Sequence, residues 1–127
     1  AVDGIIDATQ GGSALRLNLM ISYSGREEIL QAARTLAREA ARGERDPETI
    51  DEAAFQSALF TREVPDPDLL IRTSGELRIS NFMLWQLAYT ELHITPVLWP
   101  DFTRQDLFAA VLDFQKRERR FGRVPGS

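Results

Sequence analysis

DLLIRTSGELRISNFMLWQLAYTE, residues 68–91, decides how the chain is read. Leu69, Leu70 and Ile71 form a short apolar run between turn signals, with Pro65 and Pro67 before it and Thr73, Ser74 and Gly75 after it. Such a run fits a strand buried on both faces, as in a parallel sheet. Residues 81–92 then carry helical spacing, with Ser80 or Asn81 in the N-cap position. Phe82, Trp85 and Tyr89 recur at three and four residues and read as a core stripe. Residues 93–97 read as a further short strand.

Working outward, residues 1–14 read as the end of a helix followed by a Gln10-Gly11-Gly12-Ser13 turn. In residues 15–22, Leu15, Leu17, Leu19 and Ile21 alternate with Arg16, Asn18, Met20 and Ser22, which is the period of a strand. Tyr23-Ser24-Gly25 breaks it. Ser24 with Glu27 three residues on predicts a capping box and a helix to about Arg42, ended by Gly43. Its buried stripe is expected at Ile29, Leu30, Ala33, Leu36, Ala37 and Ala40. Asp46-Pro47 opens a short element with Thr49 and Glu52 as a second capping box and Phe55, Leu59 and Phe60 on its apolar side. Trp99-Pro100-Asp101-Phe102 is a turn, and Thr103 with Asp106 starts a final helix that Gly122 ends. The order β, α, α, β, α, β, α predicts an α/β fold, part of a mostly parallel sheet flanked by helices. Ligands of such sheets bind beyond the C-terminal ends of the strands, where Arg72 stands.

With 127 residues, 43% hydrophobic and 27% charged, the chain has the bounds of one ordinary domain or a piece of one. No run approaches the ~20 apolar residues of a membrane span, and no signal peptide is visible. Cysteine is absent and histidine occurs once, which removes disulfides, thiolate metal sites and HExxH chemistry. A net charge of −4 argues against a nucleic-acid binder. Five of the fifteen basic residues nevertheless crowd into residues 116–123. They suit either a solvated helix end or an anion or partner contact. The start at Ala1 is expected of a processed chain, a cut one or a fragment.

Residues 68–91 carry the chemistry. Arg72 leaves a buried strand, Arg78 follows six residues on across a glycine-containing loop, and Ser80 offers a hydroxyl. Two planar guanidinium forks with a hydroxyl and free backbone N–H groups can hold several phosphate oxygens. The alternative is that Arg72 and Arg78 pair with Glu76 and Asp68 at the surface, which is common and worth little. Glu91 falls near the C-terminal end of the expected helix, where a carboxylate opposes the dipole. It reads either as a magnesium ligand or as an exposed acid. His93 has no acid or base beside it in sequence and reads as structural.

The same stretch closely resembles the C-terminal signature of the cis-prenyltransferases, above all the bacterial isoprenyl transferases such as undecaprenyl diphosphate synthases. The likeness rests on Arg72-Thr73-Ser74-Gly75-Glu76, Arg78-Ile79-Ser80-Asn81-Phe82, Trp85-Gln86, Tyr89 and Glu91. Leu98-Trp99-Pro100-Asp101-Phe102 and Arg117-Glu118-Arg119-Arg120-Phe121-Gly122 extend it. Upstream, Leu17-Asn18 and Tyr23-Ser24-Gly25-Arg26-Glu27-Glu28-Ile29 match as well, so it covers most of residues 15–122. The resemblance implies the cis-prenyltransferase fold and an enzyme that elongates an allylic diphosphate, such as farnesyl diphosphate, with isopentenyl diphosphate. It implies that Arg72, Arg78 and Ser80 hold the isopentenyl diphosphate, Ile79 adding at most its backbone, and that Glu91 binds Mg2+. Arg120 and Gly122 match an element that reaches across a homodimer to the partner's substrate. One straight helix from Ser80 to Glu91 would part these two by roughly 16 Å at ~1.5 Å per residue. Either the helix begins later, or Glu91 serves a site built partly by a second chain.

The family's N-terminal motif, a histidine, two residues and Met-Asp-Gly-Asn-Gly-Arg-Trp, is absent, and the catalytic aspartate with it. Residues 1–127 therefore resemble the C-terminal portion of a single cis-prenyltransferase domain, with no catalytic residue of their own and expected to be inactive alone. The alternative is a non-catalytic partner subunit of a heteromeric cis-prenyltransferase. A cytoplasmic location, and membrane contact only through the lipid product, go with the family.

Overall fold

The computed structural model describes residues 2–117. In chain order they form helix α1 (Val2–Thr9), helix α2 (Gly25–Ala41), a 3-10 turn (Pro47–Thr49), helix α3 (Glu52–Ser57), strand β1 (Leu69–Arg72), strand β2 (Glu91–Ile94), a second 3-10 turn (Trp99–Asp101) and helix α4 (Arg104–Gln115). β1 and β2 pair in parallel, Leu69 opposite Glu91 and Arg72 opposite Ile94. α4 lies against β2, and α2 against α3. An α/β fold with a parallel pair and flanking helices is what the sequence predicts.

The helix ends follow their caps. Ser24 Oγ accepts from the Glu27 backbone N–H at 3.3 Å and starts α2. Glu27 does not complete the box; its carboxylate pairs with Arg34 at 3.2 Å. Gly43, at φ +70°, follows the last turn, as a glycine there should. The Thr103–Asp106 box forms as expected, with the Thr103 N–H and hydroxyl both donating to Asp106 Oδ2 at 2.8 and 2.6 Å. The Thr49–Glu52 box does not form. Two aspartates, stronger caps than threonine, take those ends: Asp46 accepts from the Glu48 N–H at 3.0 Å, and Asp51 from the Ala54 N–H at 2.8 Å. The Gly122 stop expected for α4 lies outside the described residues; α4 ends at Gln115.

Three expected elements are corrected. Residues 15–22 form no strand, and Leu15, Leu17, Leu19 and Ile21 are all exposed. A strand needs a ladder partner, and among the described residues only β1 and β2 pair. Residues 81–92 form no helix. Ser80, Asn81 and Met83 adopt φ of +49°, +63° and +45°, which cannot propagate a right-handed helix, so a series of turns runs to Thr90. β2 consequently starts at Glu91 and ends at Ile94 rather than spanning residues 93–97. β1 forms where expected, but its residues are half-buried rather than buried on both faces.

The buried face of α2 is also turned from the expected stripe. It comprises Gly25, Glu28, Ala32 and Leu36, while Leu30 is exposed. The turns of residues 80–90 pack here. Phe82 meets Tyr23 edge-on with ring centroids 5.7 Å apart, and Trp85 lies 4.4 Å from Phe55 of α3. Leu59 and Met83 are buried; Phe60 and Tyr89, expected in the apolar side and the stripe, are exposed. Gly25 is where the packing is tightest. A Cβ there would stand 2.9 Å from both the Asn81 carbonyl oxygen and Leu84 Cγ. Gly25→Ala is expected to destabilise the chain by about 1–3 kcal/mol through overpacking. A urea midpoint equal to that of the parent protein would show that the turns are not fixed against α2.

Candidate functional site

Alternation along the two strands sorts their side chains by face. Leu70 and Arg72 of β1 stand beside Leu92 and Ile94 of β2 on one face. A small open pocket forms there, which Leu77, Arg78 and Ile79 of the following loop complete. The loop is held by the chain beyond β2: the Ser74 N–H donates to the Val97 carbonyl at 2.8 Å and the Gly75 N–H to that of Thr95 at 2.9 Å. Gly75 accepts the φ of +63° that this turn requires.

The structure brings Arg72, Arg78, Ile79 and Ser80 together. Arg72 stands at the C-terminal end of β1, and its Nη2 donates to Ser80 Oγ at 3.4 Å. Its Nε is buried and has no hydrogen-bond partner among the described residues. Arg78 pairs with Glu76 at 2.7 Å and is otherwise exposed, so one of the surface ion pairs weighed against an anion site does form. Ile79 lines the pocket. Ser80 does not open a helix; its hydroxyl is presented from a left-handed turn.

Glu91 is not brought to this pocket. The register sets it opposite Leu69, about 10 Å along the sheet from Arg72 at ~3.3 Å per residue. With His93 it faces α4, away from Leu92 and Ile94. There Glu91 Oε2 accepts from Arg117 Nη1 at 2.9 Å, Arg117 Nη2 binds Asp113 at 2.5 Å, and Asp113 lies 3.2 Å from His93 Nδ1. A guanidinium already meets the Glu91 charge. Among the described residues no group of three or more His, Cys, Asp or Glu side chains is placed to hold a metal ion. Arg120 and Gly122 lie outside the described residues.

A buried polar cluster on α2, centred on Glu28, was not read from the sequence. Glu28 is 1% exposed. Its Oε1 accepts from the Thr61 N–H and hydroxyl at 3.2 and 3.3 Å, and its Oε2 from Gln86 Nε2 at 2.9 Å and from the Tyr23 hydroxyl. Burial, and then the bond to Glu28, hold the Tyr23 hydroxyl well above the usual phenol range. Glu28 sits in an exposed-looking Arg-Glu-Glu run; the family likeness covers it together with Tyr23 and Gln86, and its i+4 spacing to Ala32 and Leu36 is the sign in the residues themselves of its burial.

The comparisons decide the family. The prenyltransferase family model described as undecaprenyl diphosphate synthase matches residues 1–122. The chain belongs to that family, the cis-prenyltransferases. The isoprenyl transferase of Geobacter sulfurreducens is 54% identical over 124 residues, covering 98% of this chain and 50% of that one. A crystal structure of lavandulyl diphosphate synthase from Lavandula x intermedia, in complex with dimethylallyl diphosphate, superposes with a TM-score of 0.79 and 47% identity over 81% of this chain and 44% of the other. That of a probable undecaprenyl diphosphate synthase from Campylobacter jejuni gives 0.77 at 30% identity, over 96% and 54%. The chain spans about half the length of the curated relatives it matches. Among the described residues no helix is long and apolar enough to cross a membrane.

The Arg117 guanidinium, and after it His93, hold the Asp113 carboxyl below the usual carboxylate range. A depressed carboxyl stabilises the fold above its unfolded value of ~3.9 and loses that contribution as pH falls through its lower folded value. In Arg117→Gln the Asp113 carboxyl should therefore titrate closer to ~3.9. Carbon-detected NMR titration of both proteins reads this directly; identical Asp113 curves contradict the pairing.

Proposed function

We propose that this chain is the isopentenyl-diphosphate-binding portion of a cis-prenyltransferase domain. The whole enzyme condenses isopentenyl diphosphate with an allylic diphosphate, such as farnesyl diphosphate, to give a cis-polyprenyl diphosphate such as undecaprenyl diphosphate. Arg72 carries this reading: its guanidinium, at a strand's C-terminal end, meets Ser80 at 3.4 Å and lines a pocket of Leu70, Leu77, Ile79, Leu92 and Ile94 that also holds the Arg78–Glu76 pair. A diphosphate ester of a short hydrocarbon has the matching halves. Its oxygens take Arg72 and Ser80, together with Arg78 once Glu76 yields it, and the hydrocarbon stays against the leucine and isoleucine side chains.

In the reaction the allylic diphosphate departs, the isopentenyl double bond attacks the allylic carbon, and a proton is lost. This chain's part is to neutralise and orient the nucleophilic substrate, so that one face of its double bond meets the allylic carbon. Mg2+, when bound, would supply counter-charge to the diphosphates. No step is drawn through Glu91, whose carboxylate is engaged by Arg117. Arg120 and Gly122 are assigned to the diphosphate site of a second copy in a homodimer, and the enzyme to the cytoplasm, meeting the membrane only through its lipid product. The geometry that favours a two-chain site is the placing of Glu91 on the face opposite Arg72.

Isothermal titration with isopentenyl diphosphate and Mg2+ tests the assignment. Arg72→Ala should raise the dissociation constant about tenfold or more, the worth of a charge-assisted contact. An unchanged constant overturns it. Radiolabelled isopentenyl diphosphate with farnesyl diphosphate should give no polyprenyl product from this chain alone.

A further inference from the structure

The acids of α2 are engaged, while its arginines face water. Glu28 is buried, Glu39 pairs with Arg45 at 2.7 Å, and Glu27 pairs with Arg34 at 3.2 Å. Arg26, Arg34 and Arg38 of α2 and Arg42 at its C-cap are all exposed. They stand four or eight residues apart. At ~3.6 residues per turn that spacing puts them on the solvent side of the helix, away from Gly25, Glu28, Ala32 and Leu36. Among the described residues Arg26 and Arg38 form no ion pair, and Arg42 reaches Glu44 only at 3.9 Å.

In a chain of net charge −4 this row reverses the sign: four arginines against one exposed acid, Glu27. Local helix electrostatics do not explain it. The helix dipole favours a cation near the C-terminal end, which covers Arg38 and Arg42. Arg26 stands in the first turn, where the dipole opposes it. Arg34, Arg38 and Arg42 follow one another at i+4, the spacing at which like charges repel. The row therefore works against the free chain, and a negatively charged occupant relieves it. Leu30 is 49% exposed in the same row, and Ala33, Ala37 and Ala41 are exposed beside it. One sizeable apolar group among small neighbours leaves a low, even surface about 24 Å long at ~1.5 Å per residue. Such a surface suits a laterally extended partner rather than a single small anion.

We propose that the outer face of α2 docks the chain on an anionic lipid surface. The guanidinium groups take the lipid phosphates, and Leu30 enters the headgroup layer. Charge complementarity sets the sign of the occupant. The choice of a bilayer over an acidic protein rests on the function proposed above: a polyprenyl diphosphate is an apolar product that has to leave into lipid. That reading lets the membrane be met only through the product. The α2 face goes beyond it, as a contact made by the protein itself before any product exists. Attraction of this kind decays within a Debye length, about 10 Å at 0.1 M salt, so docking is reversible and salt-sensitive.

Co-sedimentation of the full chain with lipid vesicles tests this. Vesicles of phosphatidylcholine are compared with vesicles of equal parts phosphatidylcholine and phosphatidylglycerol. The parent chain should bind the anionic vesicles at low salt, release them at high salt, and leave the zwitterionic ones alone. Arg38→Gln with Arg42→Gln keeps the helix propensity and should lower partitioning about tenfold or more. Arg104→Gln with Lys116→Gln removes the same charge from exposed positions of α4, which packs on β2, and should bind like the parent. Equal loss in the two pairs overturns the docking face, and so does binding to both kinds of vesicle alike, or to neither. Capture of polyglutamate through Arg38 and Arg42 without vesicle binding makes the occupant an acidic polypeptide, and the lipid proposal falls. Titration with isopentenyl diphosphate separates the two readings. Arg72-dependent binding without vesicle docking overturns this inference alone. Vesicle docking through Arg38 and Arg42, in a parent chain that binds no isopentenyl diphosphate, upholds the face and overturns the diphosphate site.

Discussion

A buried carboxylate with donors from three segments governs where the rest of this chain goes. Among the described residues Glu28 takes its hydrogen bonds from Tyr23, Thr61 and Gln86, none of them a cation, so its position requires that all three arrive together. Removing any one donor leaves a charge short of solvation, and the penalty for that exceeds the worth of an ordinary hydrogen bond. This makes the contact selective rather than merely attractive. α2 must present the face of Glu28, Ala32 and Leu36, and the turns of residues 80–90 must close over it. Once they do, Asn81 can take the first N–H groups of α2, which an α-helix leaves without internal partners.

That closure explains the unusual backbone before β2. Residues 81–90 have the composition of a helix, and its last turns survive as isolated bonds such as Leu87 N–H to Met83 carbonyl at 3.0 Å. Propensity favours a helix by tenths of a kcal/mol per residue. The Asn81 contacts, the Gln86 bonds and the Phe82 and Trp85 ring contacts together outweigh it. The price is positive φ at Ser80, Asn81 and Met83, and what it provides is a serine hydroxyl beside Arg72 instead of at the head of a helix.

The sequence showed what depends on local signals. Ser24, Asp46, Thr103 and Gly43 stand where caps and stops stand, and Leu69, Leu70 and Ile71 form the strand that delivers Arg72. The candidate site was legible for the same reason: Arg72, Arg78, Ile79 and Ser80 lie within nine residues of each other, so one loop brings them together. What could not be read needs contacts between distant residues. The alternation of residues 15–22 is strand-like in itself, but pairing depends on a neighbour that period cannot supply. Glu28 is 33 residues from Thr61 and 58 from Gln86, and an acid beside another acid in a helix's first turn looks like dipole compensation, not a core residue. His93 finds Asp113 twenty residues on, out of reach of any local reading.

Parallel pairing settles the tension over Glu91 that a helical reading created. In a helix, Ser80 and Glu91 would be opposite ends of one rod; in the fold they belong to a turn and to the first residue of β2. The separation persists, and it acquires a second component, because alternation sends Glu91 and Arg72 to opposite faces of the sheet. Arg117 then completes the division. It bridges Glu91 and Asp113 on the face toward α4, while Arg72 meets Ser80 on the other.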